Sequence, residues 1–298
     1  MDRDTFIITI YCLVVEQYRV IASQFKLRRG GFAPALTDEE VITMEICGEY
    51  FKYHTDKDIY AYFHAHYCHF FPTLGDRSLF VRQAANLWQI KAAIQQRLTV
   101  VSGQAHDPVQ SIDTLPLPVC VYTRSPRDRG FKLLADYGYC AAKQMDYYGF
   151  KLGLRIARSG MIIHVPLLAA RPHDINHLDT LVEGFHGVVP ADKGCIDEYR
   201  RTLLDARHGI TVVTPARARM KPLPHPPILV RACARWRKLI ETVGSQLTGR
   251  FAVECIRVQD LWHFQHRLIR KVLAHTVMVF LNLQLGRPSL DFDGLVCD

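Results

Sequence analysis

A chain of 298 residues with 49% hydrophobic and 22% charged residues can bury one large core or two modest ones, which excludes wholesale disorder. Its 37 Lys and Arg residues outnumber its 29 Asp and Glu residues, and the formal charge of +8 favours a polyanionic partner. The nine cysteines form no C-x2-C or C-x4-C pair, which argues against a cysteine-pair zinc site and a disulfide scaffold and fits a reducing cytosol.

The first part of the chain, residues 1–105, is predicted to be a helical domain. The run FIITIYCLVVEQYRVIASQF carries apolar residues on more than one face, as a buried helix does. In LTDEEVITMEICGEYF, Thr37 and Glu40 form a capping box at the start of a second helix. The segments IYAYFHAHYCHFF and SLFVRQAANLWQIKAAIQQRL continue the helical pattern.

Neither of the longest apolar runs predicts a membrane segment. FIITIYCLVV near the start and VMVFLNLQL near the end are too short to span a bilayer. The first follows Asp2, Arg3 and Asp4 instead of a basic segment, so we expect neither a signal peptide nor an anchor.

Residues 106–298 are predicted to form an α/β domain that ends in a C-terminal helix. In GFKLGLRIA, apolar residues alternate with Lys151, Gly153 and Arg155, which predicts a strand with one buried face. The run MIIHVPLLAA follows after a turn and completes a β-hairpin. A helix, the short strand GVVP, another helix and the strand ITVVTP come next, and this order indicates a mixed sheet.

Three acidic residues stand out by position in this α/β region. Asp113 lies in the apolar run PVQSIDTLPLPVC, whose prolines suit a strand end or edge. Asp192 follows the short strand GVVP, where a strand tip can hold a carboxylate rigidly; the alternative is a cap for the next helix. Glu241 lies on the polar face of the amphipathic helix RWRKLIETVGSQLTGRF, where the alternative is a surface pair with Arg237.

Between Asp205 and Glu241 the chain has no acidic residue. The basic residues of this stretch repel one another unless a polyanion balances them, which favours phosphate contacts over a solvated basic loop. The candidate phosphate contacts in it are Arg217, Arg219, Lys221, Arg235, Arg237 and Lys238.

Five segments, in this order, resemble the DDE transposases of bacterial insertion sequences in their compact form. They are SIDTLPLPVC, ADYGYCAAKQMDYYGFKLGLRI, ADKGCID, TPARARMKP and RKLIETVGSQLTGRF. The short distance from Asp192 to Glu241 leaves no room for the large inserted domain of some relatives. Arg237 matches the arginine of the family's tyrosine–arginine–glutamate–lysine signature, while Ala234 and Thr248 replace the tyrosine and the lysine.

The resemblance implies an RNase H-like fold in which Asp113, Asp192 and Glu241 hold two Mg²⁺ ions, with Mn²⁺ as a substitute. It implies cleavage of a phosphodiester at the element ends and attack of the freed 3′-hydroxyl on target DNA. Arg237 would then contact a phosphate near the cut, and Lys193 would lie where the chain turns away to leave space for DNA. The implied partners are the terminal inverted repeats, target DNA and a second copy of the chain, with residues 1–105 as the end-binding domain.

Two histidine clusters were considered as metal sites, and the sequence was searched for a nucleotide-binding motif. HAHYCH, residues 64–69, matches no standard tetrahedral zinc spacing. Asp174, between His173 and His177, is more simply the N-cap of the next helix than a metal ligand. No nucleotide-binding fingerprint occurs, so no nucleotide cofactor is expected. A simple nuclease and a transposase-derived DNA-binding protein without catalysis remain the alternative functions.

Overall fold

The computed structural model describes residues 1–24, 30, 33–141, 143–192, 197–214 and 225–297. The chain divides into a helical unit, Met1–Ser102 with Leu247–Asp298, and a sheet unit, Gly103–Gln246. In this division the C-terminal segment belongs to the helical unit, whereas the sequence prediction counted all of 106–298 with the α/β domain.

The helical unit consists of five N-terminal helices and one long C-terminal helix. They are α1 Arg3–Gln24, α2 Asp38–Tyr50, α3 Asp56–His66, α4 Arg77–Asn86, α5 Trp88–Val101 and, from the end of the chain, α9 Leu261–Gln284. The predicted capping box begins α2: the Glu40 N–H donates to Thr37 Oγ1 at 3.2 Å, and the Thr37 N–H donates to the Glu40 carboxylate at 2.7 Å.

Helix α9 lies in the centre of the helical unit, with most of its side chains buried. It packs against α5 and α2, and the chain beyond it returns to α2, where the Tyr50 hydroxyl donates to the Phe292 carbonyl at 2.8 Å. A helix that is buried on nearly all sides needs neighbours on all sides. The N-terminal helices supply them, which explains why this C-terminal helix does not belong to the sheet unit.

Helix α1 is longer than its most apolar run suggested. The full helix has 22 residues and, by length and composition, is apolar enough to cross a membrane. Its buried face, which includes Phe6, Ile10 and Val14, packs against α2 and α5. The helix is longer than the ten-residue run on which the prediction rested, and the absence of a membrane segment stays a prediction.

The antiparallel part of the sheet unit is built on one long central strand. The strands are β1 Gln110–Cys120, β2 Asp136–Cys140, β3 Met145–Ala157, β4 Ile162–His164 and β5 Leu167–Ala169. Strand β3 pairs with β1 along one edge and with β2, β5 and β4 along the other. The predicted hairpin is confirmed in β3, β4 and β5.

The parallel part of the sheet comes from the second half of the unit. It contains α6 Leu178–Leu181, β6 Gly187–Pro190, α7 Glu198–His208, β7 Ile210–Val213 and α8 Pro227–Ser245. Strand β6 pairs in parallel with β7 and meets the start of β1 at the parallel bridge between Val109 and Val188. The Val188 N–H donates to the Pro108 carbonyl at 2.9 Å across this junction.

Strand β1 thus lies between β3 and β6 at its start and has a different environment at its end. Because β6 ends at Pro190, the later part of β1, with Pro116 and Pro118, has only β3 beside it among the described residues. Proline has no N–H for a second neighbour and is tolerated at such an edge. The prediction of a strand end or edge for these prolines therefore holds for that part of β1.

Helices cover both faces of this mixed sheet. On one face Ile112 and Val189 pack with Leu178 of α6 and Leu204 of α7 in one apolar cluster. On the other face α8 lies close to β1: a Cβ added to Gly244 would be 3.3 Å from Leu115 Cδ2. Strand β3 is consequently buried on both faces, with Arg155 only 6% exposed, so the predicted solvent face of this strand is wrong.

Candidate active site

The parallel register at the centre of the sheet brings two of the predicted carboxylates side by side. Asp113 and Asp192 each lie four residues beyond the paired residues Val109 and Val188. The Ala191 N–H donates to the Val213 carbonyl at 3.0 Å, which anchors the chain just before Asp192. Asp192 therefore stands at a strand tip, as predicted, with 59% of its side chain exposed.

The alternative role of Asp192 as a helix cap is excluded. Helix α7 begins at Glu198, and its N-cap is Asp197, whose side chain accepts from the Arg200 N–H at 3.1 Å. Because this neighbour satisfies the helix N-terminus, the Asp192 carboxylate is available for another partner.

That partner is Arg237, which reaches two of the carboxylates from α8. Its guanidinium lies 3.0 Å from Asp192 Oδ1 and 3.6 Å from Glu241 Oε1. The predicted pair between Arg237 and Glu241, one helical turn apart, is present, but the arginine also crosses to the sheet. Arg237 is thus the cation that joins Asp192 to Glu241.

Asp113 is the most buried of the three carboxylates. The Thr114 N–H donates to its Oδ1 at 2.8 Å. Burial above all, together with the charges of Asp174 and Asp192, nevertheless raises the pKa of Asp113 to about 6, against the opposing effects of the Thr114 hydrogen bond and of Arg237. An ionised Asp113 therefore lacks sufficient positive charge around it, which suits the ligand of a hard cation.

Asp113, Asp192 and Glu241 offer the oxygen ligands that Mg²⁺ prefers. Their carboxylate oxygens do not all lie within 4.8 Å of one another. In the described part of the chain, the one group of three acidic, histidine or cysteine residues with ligand atoms within 4.8 Å of one another is Glu45, Asp56 and His266 of the helical unit. That group does not fit a metal ion, because Lys91 Nζ lies 2.7 Å from Glu45 and 2.8 Å from His266. Cationic side chains already occupy the place of an ion there.

The predicted DNA contacts divide into two sets. Arg235 and Lys238 lie exposed on α8, the helix that carries Arg237 and Glu241. The remaining candidates lie outside the described residues: Lys193, Arg217, Arg219 and Lys221.

Sequence reasoning missed a polar group that borders Asp113. Contrary to the prediction, Asp174 is not the N-cap of the next helix, where His173 has that position. Its Oδ1 accepts from Thr114 Oγ1 at 2.9 Å and from Lys151 Nζ at 2.9 Å. Lys151 was assigned to a solvent face, yet its side chain is only 12% exposed. The sequence signal for this group was Lys151 itself, a lysine within an otherwise apolar strand. A lysine in a strand that is buried on both faces needs an opposite charge beside it.

A mixed sheet with antiparallel strands first, parallel strands after them and helices on both faces defines an α/β domain of the RNase H type. Residues 103–261, more than half of the chain, match the family model described as the transposase DDE domain, and the chain belongs to this family. No curated protein and no solved structure matches the chain. The predicted family and fold class are confirmed, and family membership implies a DNA substrate and divalent metal use.

Replacing Asp113 by asparagine should stabilise the metal-free protein at neutral pH. The native carboxyl, with its raised pKa, binds a proton more tightly than in the unfolded chain, so the free energy of unfolding falls as pH rises from about 4 to about 6. The variant lacks this loss, so its free energy of unfolding should exceed that of the wild type by about 1–3 kcal/mol at pH 7.5 and by much less near pH 4.5. Urea unfolding at both pH values measures the difference.

The matched control is Asp179→Asn, since Asp179 is an exposed aspartate of the same unit, with 68% of its side chain accessible. It should change stability by no more than about 0.5 kcal/mol at either pH. Adding Mg²⁺ at pH 7.5 should stabilise the wild type more than Asp113→Asn. An equal response of both proteins would contradict the assignment of Asp113 as a metal ligand.

Proposed function

We propose that this protein is the DNA transposase of a bacterial insertion sequence, in the compact form. It cleaves phosphodiesters at the ends of the element and joins the freed 3′-hydroxyl to target DNA. The observation that carries this proposal is the register that sets Asp113 beside Asp192, with Arg237 linking Asp192 to Glu241 on α8.

Asp113, Asp192 and Glu241 are proposed to hold two Mg²⁺ ions, with Mn²⁺ as a substitute. The raised pKa of Asp113 supports this, because a buried carboxylate without enough nearby positive charge is stabilised by a cation. When bound, two such metal ions would supply electrostatic stabilisation for the attacking and leaving oxygens of an in-line displacement. The rigid strand tip under Asp192 and the close contact of α8 with β1 hold the ligands in place.

Arg237 is proposed to exchange its partners when DNA binds. In the free protein Arg237 neutralises Asp192 and Glu241. A metal ion bound by these carboxylates would take over that role from the arginine. Its guanidinium is then released to donate to a phosphate near the cut, a geometry that arginine satisfies in bidentate fashion. Arg235 and Lys238 lie exposed on the same helix and extend this phosphate contact. Lys193, Arg217, Arg219 and Lys221 belong to the same proposed DNA surface.

The wider setting follows from this reaction. The helical domain is proposed to bind the terminal inverted repeats, and a dimer or larger assembly to hold two ends together. The reaction needs no nucleotide cofactor, because each joining step exchanges one phosphodiester for another. The proposed location is the bacterial cytoplasm, in association with the nucleoid and without membrane attachment.

The first experiment is a cleavage and joining assay in Mg²⁺ on DNA built from the sequences that flank this gene. Joined products would establish a transposase, and cleavage without joining would indicate a simple nuclease. Specific binding with neither product, in Mg²⁺ or Mn²⁺, would contradict catalysis and leave a transposase-derived DNA-binding protein.

Replacing Arg237 by alanine should separate its two proposed roles. Mn²⁺ should bind the free protein more tightly, by about threefold to tenfold, because no guanidinium competes for Asp192 and Glu241. Cleavage should fall about a hundredfold, since a charge-assisted hydrogen bond to phosphate is lost. Titration calorimetry with Mn²⁺ and the cleavage rate measure the two effects.

The control is Arg235→Ala, which removes an exposed arginine of the same helix. It should weaken DNA binding modestly and leave Mn²⁺ affinity unchanged. A loss of Mn²⁺ affinity in Arg237→Ala would show that the arginine supports the carboxylates instead of competing with a metal ion.

A further inference from the structure

A group of three hydrogen-bonded polar side chains lies on the sheet behind Asp113. Successive side chains of a strand point to opposite faces, so Thr114 projects from β1 on the face opposite to Asp113. Lys151 projects from β3 on the same face as Thr114, because the register pairs Thr114 with Gly153, two residues from the lysine. The third member is Asp174, which follows β5 and precedes α6.

One carboxylate oxygen of Asp174 joins the two strands. Asp174 Oδ1 accepts from Thr114 Oγ1 of β1 at 2.9 Å and from Lys151 Nζ of β3 at 2.9 Å. The Lys151 ammonium also donates to the Pro172 carbonyl at 2.7 Å, two residues before Asp174. Hydrogen bonds to charged groups are stronger than those between neutral groups, so the bond to Asp174 holds the Thr114 side chain firmly.

Thr114 connects this group to the carboxylate on the other face of the sheet. Its N–H donates to Asp113 Oδ1 at 2.8 Å, whereas its hydroxyl donates to Asp174. The backbone and the side chain of a single residue therefore link the Asp174 carboxylate to the Asp113 carboxylate across β1.

Strand β1 needs support at this point. Because β6 ends at Pro190, the part of β1 from Asp113 onwards has only β3 beside it among the described residues. Pro116 and Pro118 follow in this part and have no N–H to offer to another strand. A ligand carboxylate must be held to within about 0.5 Å, which a strand with a single neighbour achieves less well than one with two.

Neutralising Lys151 is the simpler role for Asp174, but it does not account for Thr114. Lys151 is 12% exposed and needs an opposite charge, which Asp174 supplies. The Asp174 side chain is itself 47% exposed, so this ion pair contributes only modestly to stability. The hydrogen bond from Thr114 to the same oxygen adds nothing to charge neutralisation and acts on the alignment of β1.

We propose that Asp174 is a positioning residue for the metal-binding carboxylate of Asp113. Its ion pair with Lys151 places the oxygen that holds Thr114, and Thr114 fixes the rotation of the Asp113 carboxylate through its N–H. The inference rests on the proposed function, because it assumes that Asp113 holds a metal ion. It extends the site to the opposite face of the sheet, where Asp174 and Lys151 act without touching the ion.

The main test is the Mn²⁺ affinity of Thr114→Val, measured by titration calorimetry. Valine has nearly the shape of threonine and leaves the pair of Asp174 and Lys151 intact, but it lacks the hydroxyl. Mn²⁺ should bind about threefold to tenfold more weakly, since a hydrogen bond to a charged group is lost and part of its energy reaches the site. Thr114→Ser, which keeps the hydroxyl, should bind Mn²⁺ as the wild type does.

A double-mutant cycle assigns this effect to Asp174. Asp174→Ala should also weaken Mn²⁺ binding, because it removes both the hydrogen bond and a nearby negative charge. In the Asp174→Ala background, Thr114→Val should cause no further loss, since the link is already broken. A loss of the same size in both backgrounds would show that Thr114 acts without Asp174, and it would overturn the proposal.

A second readout needs no metal ion. The amide of residue 114 donates to Asp113, so its hydrogen exchange, observed by NMR, should be about tenfold faster in Asp174→Ala than in the wild type. The amide of Leu154 in the central strand β3 should exchange at the wild-type rate. An equal acceleration of both amides would show that Asp174 only stabilises the sheet, which would contradict a positioning role.

The matched control is Thr211→Val in β7. It removes a threonine–aspartate hydrogen bond of the same unit, from Thr211 Oγ1 to Asp205 Oδ1 at 3.3 Å. This variant should bind Mn²⁺ as tightly as the wild type. Unchanged affinity in Thr114→Val, or an equal loss in Thr211→Val, would overturn the proposal.

The two proposals fail in different ways. If wild-type protein cleaves and joins DNA and Thr114→Val binds Mn²⁺ as tightly as it does, the positioning inference is wrong and the transposase proposal stands. If Thr114→Val weakens Mn²⁺ binding but wild-type protein cleaves no DNA, the catalytic proposal is wrong and the positioning role stands. Wild-type protein that binds no Mn²⁺ would contradict the metal site and the positioning role together.

Discussion

Asp192→Asn should abolish DNA cleavage in Mg²⁺ while leaving DNA binding within about threefold of the wild type. Asparagine keeps the shape of the side chain but removes the negative charge from the strand tip. Metal-assisted phosphoryl transfer depends on several kcal/mol of charge stabilisation, so the cleavage rate should fall at least about a thousandfold. Cleavage is measured on the DNA that flanks the gene, and binding is measured in Ca²⁺.

The fold should tolerate this substitution. Asp192 has 59% of its side chain exposed, and its charged contact among the described residues is to Arg237 at 3.0 Å, which keeps Glu241 as a second partner. Loss of activity through unfolding is therefore not expected, and the circular dichroism spectrum should be unchanged. Asp179→Asn, an exposed aspartate away from the carboxylates, should cleave at the wild-type rate. Retained cleavage by Asp192→Asn would remove this residue from the metal site.

Local sequence pattern was sufficient to predict most elements of the catalytic core. Thr37 and Glu40 define a cap by side-chain chemistry alone, and the hairpin of β3, β4 and β5 depends on neighbours in sequence. The strand tip at Asp192 could also be read from a short apolar run that ends in a charged residue. These features depend on local interactions, which a single sequence records directly.

The closeness of Asp113 and Asp192 could not be read from the residues alone. It depends on which strand β6 pairs with and in which register, and the pairing joins residues far apart in the chain. A shift of one residue would turn each side chain to the other face of the sheet. The family resemblance supplied this expectation, and the register of Val109 with Val188 gives it a structural basis.

The sequence predictions for the C-terminal helix and for the faces of β3 differ from the structure for a shared reason. Both depend on what packs against an element after the chain has folded. Helix α9 contains Arg270 and Lys271, which resemble surface residues in sequence, yet both are buried against acidic residues of other helices. Likewise Arg155 reads as solvent-facing, although it donates to the Leu181 carbonyl at 3.0 Å beneath α6. Period-based reasoning cannot detect charges that are buried in pairs.

Those pairs form a buried charge cluster that fixes α9 to the N-terminal helices. Its members are Glu45, Glu49, Asp56, Lys91, His266, Arg267, Arg270 and Lys271. Burial raises the pKa of Glu45 and lowers the pKa of Lys91, so each charge depends on the other. Lys91 Nζ lies 2.7 Å from Glu45 and also donates to the Ala84 carbonyl at 3.0 Å.

Lys91→Met should destabilise the helical unit by about 3–5 kcal/mol, because it leaves Glu45 buried without its nearest cation. Methionine has a similar length and fills the space of the aliphatic stem, so the effect reports charge more than packing. In a Trp236→Phe background, Trp88 and Trp262 are the remaining tryptophans and both belong to the helical unit. Their fluorescence during urea unfolding therefore measures the stability of that unit. Lys57→Met, at an exposed lysine of α3, should change it by no more than about 0.5 kcal/mol.

A double-mutant cycle distinguishes an unpaired charge from a simple loss of packing. Glu45→Gln combined with Lys91→Met removes both charges, so the double variant should be more stable than the sum of the single effects predicts, by at least about 1 kcal/mol. The reason is that the largest cost in Lys91→Met is the isolated Glu45 carboxylate, and glutamine carries no charge to isolate. Additive effects within about 0.5 kcal/mol would show that the lysine contributes through its stem, and the charge pair would then not be what holds α9 in place.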